Sequence, residues 1–364
     1  MDAEAAGHID GLAWWGITRR HKRGGGMRAT KRVSAWIGLV SVAVAMVGSG
    51  SAFGATPPNA ETMAGWQQAL THLPELAAGC YQASYPELQW HATPCQVAPA
   101  VPMIPAAVGN GKDYSAEVTG TISQATGSFD DVSPDTTETG KYGLGGSKME
   151  NIYSLQLNTE FFSTPTCKGS SDPANCLGWQ QFIYDSHGDL VYMEYWLLDY
   201  NAKCPKGWTR YSVACYRNSP ASKFAGGRIP AAGLATTKFL GSAVTGGNDE
   251  VSLSNGLGKA TLVSARDSVV HLAKMWNTAE FDVFGDGAGS EADFGPNTTI
   301  ESQTTLQATS LAAPTCVKEG FTAETNNLNL THTPAVGSEA SPTLVYEQTN
   351  AKATAASCAV AAGT

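Results

Sequence analysis

The chain has 364 residues, with 32 Asp and Glu against 23 Lys and Arg. A formal charge of -9 argues against nucleic acid as the main partner, because binding a phosphate backbone needs clustered Lys and Arg. Eight cysteines and 39 glycines set the chain apart from a helical bundle or a coiled coil.

The first element in chain order is a leader. From Met27, "MRATKRVSAWIGLVSVAVAMVGSGSAFGA" has a charged end (Arg28, Lys31, Arg32), an apolar stretch from Trp36 to Val47, and a small-x-small site at Ala52-Phe53-Gly54. Residues 27–54 are expected to be a signal peptide and 1–54 to be absent from the working protein, which would be secreted to an extracellular or periplasmic space. The leader holds seven of the basic residues and three of the acids. The remainder is 16 minus 29, a charge of -13. Lys-poor acidic chains of this kind tolerate low pH, where protonated carboxyls stop repelling one another.

Residues 55–112 form an N-terminal cap or propeptide-like segment. "TMAGWQQALTHLP" predicts a short helix that Pro74 ends, followed by a loop carrying Tyr81, Tyr85 and Trp90 that Cys80 and Cys95 would close. A linker rich in Ala, Pro and Val runs from Val97 to Val108. All eight cysteines lie after the signal, so an exported chain predicts an even set of disulfides. Nearest-neighbour pairing gives Cys80 with Cys95, Cys167 with Cys176, Cys204 with Cys215, and Cys316 with Cys358.

Residues 113–312 change texture. Short runs rich in Thr, Val, Tyr and Phe alternate with Gly, Asn, Asp and Ser clusters, which predicts an all-β, antiparallel double-sheet sandwich. The clearest strands are 114–123, 152–162, 179–184, 190–200, 237–244, 251–254, 260–264, 279–284, 298–306 and 343–348. "YDSHGDL" and "TGGNDEV" read as hairpin turns. Within this body only "DSVVHLAKMWN" has helical spacing, with Asp267 placed to cap it. Residues 313–364 would be a C-terminal segment tethered by the last disulfide.

Side-chain parity sorts two of the strands. In "YSLQLNTEFF", Tyr153, Leu155, Leu157, Thr159 and Phe161 read as the core face, which leaves Gln156, Asn158 and Glu160 as a polar ladder on the other. In "VYMEYWLLDY", Glu194 shares a face with Tyr192, Trp196, Leu198 and Tyr200, opposite Val191, Met193, Tyr195 and Leu197. An acid among aromatics is either paired or working, because desolvating a carboxylate costs several kcal/mol or leaves it protonated. Gln180, Arg210 and Arg217 are its candidate partners.

No nucleophile elbow, H-E-x-x-H, Walker loop or dinucleotide fingerprint occurs. Neither a metal nor a cofactor is expected, since no CxxC pair or His-Cys zinc spacing is present. "DVFGDGAGSEAD" places Asp282, Asp286 and Asp293 near calcium-loop positions, but Phe284 stands at a ligand position, so a glycine-rich turn with solvated acids is the expected reading. The histidines His72, His91, His187, His271 and His332 are scattered.

Three ordered stretches, "YSLQLNTEFF", "GDLVYMEYWLLDY" and "NTAEFDVFGDGAGSEADF", resemble the glutamic peptidases called eqolisins over roughly residues 113–306. The resemblance implies a concanavalin-like double sheet, with Gln156 as the catalytic glutamine, Glu194 as the acid of the aromatic strand and Glu280 as the first acid of the later strand. It also implies a catalytic Glu four positions beyond Glu280, where this chain has Phe284. Glu194, Glu280 or Glu291 would then supply the base, or the chain is a non-catalytic relative. Two functions remain open: a glutamic-type endopeptidase acting on peptides at acidic pH, and a lectin-like binder of peptide or glycan. In either case Asn158, Glu160, Tyr192 and Trp196 line the groove, and the partner is an extracellular polymer rather than a membrane.

Overall fold

In the computed structural model the described residues are 62–105, 112–317, 322–331, 335–337 and 341–351. The expected signal peptide, Cys358 and His332 lie outside them.

Two large sheets face each other, and their strand pairs are antiparallel. The first runs, edge to edge, through strands His91–Thr93, Gly79–Ser84, Lys259–Arg266, Asn248–Asn255, Lys238–Ala243, Ile122–Val132, Thr299–Ala308, Thr343–Thr349 and Asn329–Leu330. The second, which carries the site, runs through Thr209–Tyr211, Ala214–Asn218, Leu190–Leu198, Leu177–Asp185, Ser154–Thr159, Thr278–Phe284, Ser115–Glu117 and Thr315–Val317. The expected all-β sandwich is the observed fold. A small third sheet joins Thr325–Asn326, Glu291–Phe294, Glu138–Lys141 and Lys148–Glu150.

Alternation explains how the layers meet. Leu155, Leu157, Phe182, Val191, Met193, Tyr195, Leu197, Phe281 and Val283 point inward and pack against Phe129, Phe239, Val251, Leu253 and Val263 of the first sheet. Phe281 lies 5.0 Å from the Phe129 ring and 6.2 Å from that of Phe239. Two glycines of the first sheet make room for these rings. A Cβ on Gly127 would sit 2.3 Å from the Phe281 ring, and one on Gly241 would sit 2.6 Å from that of Phe182. Gly127→Val is therefore expected to lower stability by about 1–3 kcal/mol through overpacking, read as a lower urea midpoint at unchanged m-value.

The N-terminal segment is built into the sandwich. Helix Met63–Leu70, capped by Thr62, ends before Pro74, and Gly79–Ser84 pairs along its length with Lys259–Arg266. Cys80–Cys95, Cys167–Cys176 and Cys204–Cys215 are bonded, with Cα separations of 5.3, 5.7 and 5.7 Å. Among the described residues, no helix is long and apolar enough to cross a membrane.

The helix expected from "DSVVHLAKMWN" does not form. His271 takes the left-handed conformation at φ 58° and splits the stretch into the 3-10 turns Asp267–Val269 and Leu272–Lys274. Asp267 accepts from the amide of Ala273 across the break (2.9 Å) rather than capping a helix. The strand expected over 114–123 is also broken, because Gly120 at φ 113° turns the chain between the two sheets.

Candidate functional site

The outer face of the second sheet carries the polar ladder. Gln156 lies opposite Asp282 on one side and Ile183 on the other. Asn158 lies between Glu280 and Gln181, and Gln181 lies opposite Glu194. Gln156 and Glu194 thus share one face of one layer. The Gln156, Asn158, Gln181 and Glu280 side chains form a continuous network. Gln181 Nε2 donates to Gln156 Oε1 (2.9 Å), Asn158 Nδ2 to Glu280 Oε2 (2.9 Å), and Gln156 Nε2 to Ser154 Oγ (2.9 Å).

The trough expected to be open to solvent is covered: Gln156, Asn158, Gln181, Glu194, Glu280 and Asp282 are all buried. Met103, from the linker expected to mark a domain boundary, lies over Glu194. Its backbone N–H donates to Glu194 Oε1 (2.9 Å), as does Trp196 Nε1 (2.9 Å). None of the expected partners of Glu194 fills that role. Gln180 and Arg217 lie opposite Tyr195, so they belong to the other face, and Arg210 donates to the carbonyl of Ala202. Its neighbour is instead Asn218, directly across from it.

Burial, reinforced by the nearby Glu324 charge and partly offset by hydrogen bonds from Trp196 and Met103, holds Glu194 well above the usual carboxylate range. Glu194 Oε2 and Asn218 Oδ1 are both buried acceptors without a donor when the acid is ionised. A proton on Oε2 lets it donate to the amide oxygen and satisfies both, so the geometry independently favours a neutral Glu194.

The same face gathers further acids. Asp113, absent from the residues singled out in the sequence, is fully buried and hydrogen-bonded to Glu280. Two carboxyls in such contact must share a proton, and burial raises Asp113. Asp282 is raised well above its ordinary value by burial and then by the Asp113 charge, even though it accepts from Gln348 Nε2 (2.8 Å) and Ser302 Oγ (3.3 Å). Asp185, two pleats along from Gln181, pairs with Asp286, whose carboxyl burial also pushes well up. The acids of the "DVFGDG" stretch expected to be solvated are therefore buried. Among the described residues, no cluster of His, Cys, Asp and Glu is arranged to hold a metal.

Four expected site residues, and the Phe284 that stands at the implied acid position, fall differently. Glu291 leaves the ladder because the chain turns at Gly285–Gly289. It sits on a strand of the small third sheet, 44% exposed, 3.8 Å from Lys112 Nζ. Glu160 is exposed beyond the strand end, where Thr278 Oγ1 donates to it. Phe284 is buried on the ladder face opposite Ser154, one step from Asp282. Tyr192 and Trp196 are buried too, with Trp196 packed against Tyr216 at 5.2 Å, so they wall the site rather than offer an open platform. A cleft of about 530 Å³ opens elsewhere, lined by Ala78, Trp208, Arg217 and Ser268 among others.

Asp282 and Gln181 alternate with the inward residues of their strands, so parity applied to those strands finds them. Asn218 and Glu324 carry no local signal, since they reach the face through distant pairing.

No protein-family model and no curated protein matches the sequence. Two solved structures are similar. One is SCP-B, a member of the eqolisin family of peptidases, in a complex with the tripeptide Ala-Ile-His; the identity is 11%, with 65% of this chain and 97% of that chain covered and a TM-score of 0.26. The other is scytalido-glutamic peptidase with a transition-state analogue inhibitor, at 12% identity, 65% and 97% coverage and a TM-score of 0.30.

Proposed function

We propose that the chain is a secreted hydrolase of the glutamic-peptidase type that acts on peptides at acidic pH. The observation that carries this reading is the joining of Gln156, through Asn158, to the Asp113–Glu280 carboxyl pair on one sheet face. Such a pair offers an ionised oxygen and a protonated one side by side, which suits acid-base work below neutral pH. In this reading the ionised member takes a proton from water as the water oxygen attacks the peptide carbonyl. The protonated member gives its proton to the departing amine. The amide of Gln156, which has a second N–H beyond the one on Ser154, stabilises the oxyanion. Glu194, held neutral beside Trp196 and Asn218, serves as a hydrogen-bond donor to bound peptide, and Asn158 holds Glu280.

Secretion agrees with three disulfides, which persist in oxidising compartments, and with the signal-like leader. Incubating the full secreted chain with denatured casein from acid to neutral pH tests the reading. Cleavage confined to acid and lost in Gln156→Ala and Glu194→Gln is expected. No cleavage, or cleavage that both variants retain, rejects it.

The second reading is a binding module without chemistry, favoured by Phe284 at the position where the resemblance implies a catalytic acid. Capture on peptide or glycan columns that survives Glu194→Gln and is lost in Trp196→Ala supports it instead.

A further inference from the structure

The segment over the ladder makes contacts that a loop merely passing by would not make. It pairs at Gln96 with Ala221 through two backbone hydrogen bonds of 2.7 and 2.9 Å. Asn218 Nδ2 then donates to the Pro99 carbonyl (2.9 Å), and the Tyr216 hydroxyl to that of Ala100 (3.1 Å). The Ala288 amide donates to the Pro102 carbonyl (3.0 Å). The Met103 and Ile104 amides donate to Glu194 and Glu324 (2.9 and 3.0 Å), and the Ala323 amide donates to the Ile104 carbonyl (2.8 Å). Three prolines, Pro99, Pro102 and Pro105, leave the segment few backbone donors of its own. Both exposed edges of the extended backbone are therefore read, as in the recognition of a bound peptide.

One side chain is read as well. Met103 is fully buried in a pocket formed by Ile183, Leu190, Tyr192 and Ala221, on the same face as Glu194. The opposing turn leaves room for the Val101 side chain because Gly287, at φ 84°, has none; a Cβ there would stand 2.9 Å from Val101 Cγ1.

From these contacts we infer that the trough is a binding site for an extended, proline-rich peptide bearing one methionine-sized unbranched side chain, and that Gln96–Pro105 is a built-in ligand occupying it. The inference deepens the peptide reading of the site and rests on it. A free peptide of the same chemistry competes for the place, and substrate enters when the strap lifts.

The test uses a fluorescent nonapeptide with the Val97–Pro105 sequence and the full chain. Met103→Asp puts a carboxylate into an apolar pocket beside Glu194 and should unseat the strap. Its affinity for the nonapeptide should then exceed that of the wild type by about ten-fold or more, since a buried Met side chain carries that much binding. The same peptide with Asp in place of Met should not bind. If Met103→Asp fails to fold, Met103→Ala removes the buried anchor from the strap alone without adding charge, and a smaller gain is expected.

Equal or absent binding in a folded variant overturns the inference. So does hydrogen exchange at the Met103 and Ile104 amides of the wild type as fast as in the free peptide. Binding without hydrolysis of any substrate sinks the peptidase reading alone. Casein cleavage by the strap variant that the nonapeptide does not inhibit sinks this inference alone.

Discussion

The folded chain is expected to be most stable near pH 3–4 and to lose several kcal/mol as the pH rises past neutral. Burial raises Glu194, Asp282, Asp286 and Asp249 well above the ordinary carboxylate range, and raises Asp113, Asp185 and Glu324 as well. Glu138, 2% exposed, is pushed up to about 8 from 4.5. In the unfolded chain these groups titrate near pH 4. Between that value and the folded one, the native state holds protons that the unfolded state releases, so stability falls as pH rises. It is fully present below the unfolded pKa and is lost up to the folded pKa.

For Glu138 alone the window runs from 4.5 to about 8, worth on the order of 5 kcal/mol at about 1.4 kcal/mol per unit. That is a large share of the roughly 5–15 kcal/mol that hold a domain together. Urea unfolding at pH 3.5, 5.5 and 8 checks it: the midpoint should fall in that order, and Glu138→Gln should flatten the fall. A midpoint that rises from pH 3.5 to 8 contradicts the protonation states assigned here.

Removing the Gln156 amide should cost the most activity. Gln156→Ala is expected to lower kcat on denatured casein by about 100- to 1,000-fold, the range for losing one preorganised oxyanion donor. KM should change far less, because the amide would act on charge that exists only in the transition state. The variant also deprives Gln181 and Asn158 of a common acceptor, so an unchanged far-UV spectrum and urea midpoint within about 1–2 kcal/mol must accompany the loss. An equal loss of kcat with a collapsed midpoint would assign Gln156 a structural role.

Strands were the most legible part of this fold. Leu190–Leu198 and Thr278–Phe284 declare their two faces through alternation, because one face packs on the Phe129 and Phe239 layer. Parity grouped Gln156 with Asn158 on one strand and Glu194 with its aromatics on another, the resemblance singled out Glu280, and strand register brings all four to a common side. Parity could not place what lies above them. The linker's Ala, Pro and Val content reads as a boundary, yet its prolines and apolar side chains suit an extended strap, a difference that only the Met103 pocket reveals. Glu291, a candidate base alongside Glu280, ends elsewhere, since the intervening turn carries the chain into another sheet. His271 defeated the helix through backbone conformation, which periodicity does not encode.

Everything proposed for the site depends on carboxyls kept neutral on the Gln156 face. Following the side-chain carboxyl carbon resonances of Glu194 and Asp282 in the full chain, from pH 3 to pH 8, tests that directly. Both resonances should stay at the protonated position well above the range near pH 4 in which free carboxyls lose their protons. Glu194 titrating in that ordinary range would contradict the account.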